Sequence, residues 1–182
     1  MNIIVGLGNP GEQYKNTRHN SGFLAINALA EQFGLAWETN KKFKAETASN
    51  PNLILIKPQT FMNNSGQAVA AVLSYYKLLP KKLGLVKTAN ADLSKILTVI
   101  HDDLDIELGK YKISVDSRSA GHRGVQSVID RLKTKNFKRL RIGIRAPALE
   151  KIPAEKFVLQ KFNATELITI ENQISQIKKE LV

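Results

Sequence analysis

The apolar positions of the chain follow two periods, and the switches between them outline its elements. Asn2 to Gly6 is a short β-branched run ended by glycine, which predicts a buried first strand. Gly6 to Asn16, with its Gly, Asn and Pro, predicts a loop. From Ser21 the spacing of Phe23, Ile26, Leu29, Ala30 and Phe33 is helical, and Gly34 closes it. Phe43 to Lys57 predicts a hairpin that turns at Ser49-Asn50-Pro51-Asn52 and returns through LILIKP. A second helix starts near Ser65 and runs through AVAAVLSYYKLL to Pro80. Pro80 to Asp92 has no period and predicts a surface excursion bearing Lys81, Lys82 and Lys87. Strands are predicted at Ile96–His101 and Lys110–Val115, with a helix near Gly124–Leu132. RLRIGIR (139–145) alternates basic and apolar side chains, as a strand with one wet face would. From Ala164, the residues Leu167, Ile170, Ile174 and Ile177 return to helical spacing. Strands alternating with helices predict an α/β fold: a three-layer sandwich with a twisted, mixed, mostly parallel sheet flanked by helices. With no repeat or linker in view, residues 1–182 are expected to form a single domain.

Composition removes several kinds of chemistry. There is no cysteine, so disulfides, Cys-based zinc sites and thiol nucleophiles are excluded; His19, His101 and His122 are the histidines open to a metal. The start, MNIIVGLG, reaches glycine too early for a signal-peptide apolar region. No apolar run approaches the roughly 20 residues that span a bilayer, so a cytoplasmic location is expected. Lys and Arg outnumber Asp and Glu by 27 to 16, a net charge of +11. Such a field gathers polyanions, nucleic acid or anionic lipid, although a merely basic soluble protein would share it. Between Arg131 and Lys151 stand eight basic residues and one acid, Glu150, in sequence that alternates with apolar positions, which reads as a folded basic face.

Gly6-Leu7-Gly8-Asn9-Pro10-Gly11 follows the first strand and matches a dinucleotide-binding turn. That turn should enter a helix at once, yet about ten loop-like residues intervene. The other reading is a tight turn that presents Asn9 at the edge of the sheet. With no thiol and no G-x-S-x-G elbow, the candidate nucleophile is a hydroxyl or an activated water. A water-activating histidine needs one nitrogen facing the water and a carboxylate on the other. His19 follows Thr17-Arg18 in a polar loop, and His101-Asp102-Asp103 ends a strand at the same sheet edge. A third edge, Pro58 to Gly66, lies before a helix. There an Asn amide could serve a developing oxyanion, or Asn63, Asn64 or Ser65 could simply cap the helix. Phe61 and Met62 read as core by default.

VGLGNPG (5–11), Tyr14, TRHN (17–20), TFMNNSG (60–66), HDDLD (101–105), AGHRGVQSV (120–128) and RLRIGI (139–144) resemble, in order, the bacterial peptidyl-tRNA hydrolase family. The resemblance implies an enzyme that hydrolyses the ester of N-blocked peptidyl-tRNA. His19 would be its base, Asp102 the supporting carboxylate and Asn9 the residue that tells blocked from free aminoacyl-tRNA. Tyr14, Phe61 and Asn63 would contact the tRNA 3′ end, with Asn63 also a candidate oxyanion donor, and Met62 would line the same substrate-binding cleft. Arg141 and Lys151 would be basic contacts to the tRNA. The implied partner is peptidyl-tRNA, through its acceptor stem and 3′ end. The protein is expected to act as a monomer, with no membrane, metal or organic cofactor. Arg123 stands where the family often has an Asn, and its donors-only cation cannot copy an amide, although it could grip a phosphate or a carbonyl. Two rivals remain: an RNA-binding protein without hydrolysis, as in plant organelle splicing factors of similar fold, and a nucleotide-dependent oxidoreductase resting on the glycine loop alone. The joint presence of His19, Asp102, Asn9 and Asn63 favours the hydrolase.

Overall fold

The computed structural model describes residues 1–79, 81–82, 86–87 and 89–181. Seven strands form one mixed sheet in the order β2-β3-β4-β1-β7-β9-β8. They span Glu38–Asn40 (β2), Ala45–Asn50 (β3), Leu53–Pro58 (β4), Asn2–Gly6 (β1), Leu97–Glu107 (β7), Lys138–Arg145 (β9) and Tyr111–Ser114 (β8). The middle strands β4, β1, β7 and β9 are mutually parallel, and β3 and β8 join antiparallel outside them. Of the predicted excursion, Lys81–Lys82 (β5) and Val86–Lys87 (β6) pair as a small antiparallel ladder, and residues 80, 83–85 and 88 lie outside the described residues.

The β1 strand is apolar throughout because helices cover both of its faces. Ile3 and Val5 point into one core with Ile54, Ile56, Leu97 and Val99, roofed by α2 (Ser65–Tyr75) and α3 (Arg123–Leu132). Ile4 points the other way with Leu55, Ile100 and Leu140, onto α1 (Ser21–Gln32) and α5 (Ala164–Glu180). Between β9 and α5 lies the short helix α4 (Ala154–Phe157).

The predicted elements are present, with informative differences. The α2 helix stops at Tyr75, not at Pro80: Lys77 takes a left-handed φ of 56° and the Leu78 N–H closes on the Leu73 carbonyl at 2.9 Å. Strand β7 continues past His101 through HDDLDIE, because β9 keeps pairing with it at Asp102 and Asp103 before the register shifts. The basic face of β9 is not simply wet. Arg139 is buried against Phe137, with its guanidinium 4.2 Å above the ring, and Arg141 is half-buried on Asp103. The glycine loop enters no helix directly: two 3-10 turns, at Glu12–Tyr14 and Arg18–Asn20, precede α1. A Cβ on Gly6 would lie 2.3 Å from the Gly22 carbonyl, and one on Gly8 2.6 Å from the Phe23 ring. These glycines let the loop pack onto the start of α1, which accounts for them without a nucleotide.

Candidate active site

Parallel strands end on the same side of a sheet, so the loops after β1 and β4 and the polar end of β7 meet there. Between them lies a cleft of about 640 Å³ lined by, among others, Asn9, Tyr14, His19, Phe61, Met62, Asn63, Asp102 and Arg123. Eight of the ten residues singled out from the sequence therefore share one cavity. Arg141 and Lys151 are not among its lining: the Arg141 Nε donates to Asp103 at 2.7 Å, and Lys151 is exposed at the end of the Pro147–Lys151 turn.

Asp102 is the hub. Its carboxylate is 2% exposed and receives the His19 Nδ1 at 2.9 and 3.0 Å, one to each oxygen. It also receives the His122 Nε2 at 3.0 Å. His122 caps α3: its Nδ1 accepts from the N–H groups of Gly124 (3.1 Å) and Val125 (3.2 Å), which places its ring proton on Nε2, toward Asp102. His101 lies beneath, its ring edge-on to His122 at 4.7 Å, and its Nδ1–H donates to the Asp102 carbonyl at 2.7 Å. Burial drives His101 down to about 3, aided by the neighbouring His122, so it stays neutral. Burial alone would raise the Asp102 carboxyl, but His19 and His122 outweigh it and hold the group far below the usual carboxylate range. For His19 burial disfavours the cation, yet the Asp102 charge and hydrogen bond win and raise its pKa, with Arg123 pulling the other way.

Asn9 is fixed with comparable care. Asn20 bridges its backbone, accepting from the Asn9 N–H and donating to the Asn9 carbonyl, both at 2.9 Å. The Asn9 Oδ1 accepts the Met62 N–H at 2.8 Å. That contact sets the amide orientation and leaves the NH₂ group for the cleft. On the third edge the cap position of α2 falls to Asn64. The Met62–Asn64 turn leads into α2, the N-cap Asn64 makes no side-chain bond, and the Ser65 Oγ donates back to the Met62 carbonyl at 2.9 Å. Asn63 is exposed on the cleft wall. Met62 is buried core that also lines the cleft, whereas Phe61 is 58% exposed, with its ring 6.5 Å from Tyr14 and edge-on to it. Sequence reasoning gave no role to His122 beyond a possible metal ligand, none to Asn20, and missed the wall made by Ala154, Glu155, Val158 and Leu159. The first two stand inside the motifs AGHRG and TRHN; the wall carries no local signal.

Among the described residues, His19, Asp102 and His122 are the one cluster of metal-ligand type, with ligand atoms within 4.8 Å of one another. A cation there would displace the hydrogens both rings donate to Asp102, and His122 has already committed its other nitrogen to α3. The donor set suits moving a proton better than holding a metal. No described helix is long and apolar enough to cross a membrane.

An α/β sheet with an imidazole–carboxylate pair in an open cleft at its carboxyl edge defines an enzyme with acid–base chemistry at hand. A profile of the peptidyl-tRNA hydrolase family matches residues 3–182. Peptidyl-tRNA hydrolase of Rickettsia bellii (strain OSU 85-389) is 41% identical over 181 residues, covering 97% of this chain and 89% of its own. That of Thermodesulfovibrio yellowstonii is 40% identical, covering 100% and 91%. The crystal structure of peptidyl-tRNA hydrolase from Acinetobacter baumannii superposes with a TM-score of 0.83 at 30% identity, over 98% of this chain and 85% of that one. The chain belongs to the peptidyl-tRNA hydrolase family.

Proposed function

We propose that this protein hydrolyses the ester between a peptide and the terminal ribose of tRNA, with His19 as the general base. The observation that carries the reading is the His19 Nδ1 set on both Asp102 oxygens, 2.9 and 3.0 Å away, on the wall of the cleft. With Nδ1–H committed to Asp102, the free Nε2 takes a proton from water, and the hydroxide attacks the ester carbonyl. Asp102 stabilises the imidazolium, which returns the proton to the departing ribose oxygen. The Asn63 amide donates to the tetrahedral oxyanion. The Asn9 NH₂ meets the peptide side of the substrate, and Tyr14 and Phe61 offer faces on which 3′ bases stack. Arg123, Arg141 and Lys151 supply cations along the tRNA. The protein acts as a single domain and a monomer in the cytoplasm, with no cofactor.

Incubation with N-acetyl-aminoacyl-tRNA and with its unblocked form tests this directly: release from the blocked substrate alone is expected. His19→Ala should lose about 10²–10⁴-fold in turnover while still binding tRNA. Binding without release by the parent protein would instead assign it to RNA binding.

A further inference from the structure

The loop that carries His19 is held from the far end of the chain. The His19 N–H donates to the Val158 carbonyl at 2.8 Å, the Arg18 N–H to Gln160 at 3.0 Å, and the Phe162 N–H returns to Asn16 at 3.0 Å. A single antiparallel bridge pairs Thr17 with Lys161. Residues 16–19 and 158–162 thus form a short ribbon outside the main sheet. A ribbon with so few backbone bonds opens easily unless side chains hold it shut.

Arg18 supplies such a hold. Its side chain is 5% exposed, and its Nη2 donates to both oxygens of Glu166 at 2.7 Å. The Nη1 donates to the Lys161 carbonyl at 3.1 Å, and the guanidinium lies 4.3 Å over Phe157 and 5.3 Å over Phe162. Glu166 is itself fixed: it closes a capping box with Asn163 at the start of α5, with 2.9 Å bonds in both directions. Ile170, Ile174 and Ile177 then anchor α5 in the core. Exposed ion pairs contribute little, but this one is nearly dry, two-oxygen and stacked, and opening it would strand a charge.

We propose that Arg18 and Glu166 form a latch through which the C-terminal helix positions His19 for the reaction. Neither residue lines the cleft, so both are positioning residues that act through the backbone of residues 18–19. The other side of the ribbon carries Val158 and Leu159 into the cleft wall, so the latch fixes base and wall together. The inference rests on His19 being the base.

Glu166→Gln isolates the pair, since glutamine still serves a capping box while the charge is lost. Arg18→Lys keeps the charge but loses the planar fork and its stacking. Cleavage of N-acetyl-aminoacyl-tRNA by the whole protein and hydrogen exchange of backbone amides are measured together. Both variants should lower kcat by about 10- to 100-fold with KM within about twofold. The His19 amide should exchange at least about tenfold faster, while amides of β1 and β7 keep their protection. Glu166→Asp, which restores the charge on a shorter stem, should recover part of the rate. A kcat within about threefold of the parent overturns the latch, as does a lost rate with unchanged protection at His19. If His19→Ala loses activity in the same assay and Glu166→Gln does not, the latch alone falls. If His19→Ala cleaves at the parent rate, the catalytic reading falls with it.

Discussion

A histidine that takes a proton from water must first be without one, and the surroundings of His19 set when that is so. Burial favours the neutral ring, but the Asp102 charge raises the pKa above its ordinary 6.5. Activity should therefore rise with pH, with its half-point above 6.5, seen as kcat/KM against pH. Asp102→Asn removes the charge that favours the imidazolium, so the half-point should move down; a half-point that stays put rules out the pairing as its cause. Arg123 makes no ion pair with the described residues and faces the cleft. If it meets a phosphate of the single-stranded 3′ end, Arg123→Asn should flatten the dependence of log KM on log salt by about 0.7. An unchanged slope with a lower kcat would place the cation on the ester carbonyl instead. At this scale the sequence was legible where a motif names a residue: His19, Asp102, Asn9 and Asn63 all reach one cleft. His122 was not, because its place on Asp102 depends on where α3 begins.

Elements bring these residues together, and the closeness of their approach is itself testable. The α2 and α3 helices carry the 60–66 and 122–124 edges of the cleft and touch backbone to backbone. A Cβ on Gly66 would sit 2.1 Å from the Ser127 carbonyl, and the Gly66 N–H donates to the Ser127 Oγ at 3.0 Å. Backbone cannot step aside as a flexible side chain can, so Gly66→Ala should destabilise by about 1–3 kcal/mol in urea unfolding. Gly34→Ala, with nothing within 4 Å of the added carbon but a φ of +62°, should lose less, about 1 kcal/mol. The starts of elements were readable from the hydrophobic periods. Their ends were less so: α2 ends on the left-handed Lys77 and β7 runs on into polar sequence, since a polar tail is held in a strand when its neighbour keeps pairing.

For the molecule as a whole, the neutral histidine beneath the site ties stability to pH. His101 is held near 3 in the folded protein and returns to 6.5 when unfolded, so below 6.5 only the unfolded chain gains a proton. The stability this group contributes is complete above 6.5 and falls by about 1.4 kcal/mol per pH unit as pH drops toward 4. His19, raised, and Asp102, lowered, contribute no slope in that window. Urea midpoints taken across it should fall for the parent and stay nearly level for His101→Gln. An equal fall in both would assign the slope to other groups. The sequence by itself determined the layers, because hydrophobic periods fix which face of each strand and helix is buried. It also determined the residue types at the site, because each motif places them beside a strand end. Only the tertiary structure decided that Asp102 serves two imidazoles, that Arg139 turns inward rather than to solvent while Arg141 is half-buried on Asp103, and that residues 154–166 wall the cleft and clamp the His19 loop. The contacts of Asp102 with His122 and His19 and of Arg18 with Glu166 join positions 20 to 148 residues apart, and no local period encodes a distance of that kind.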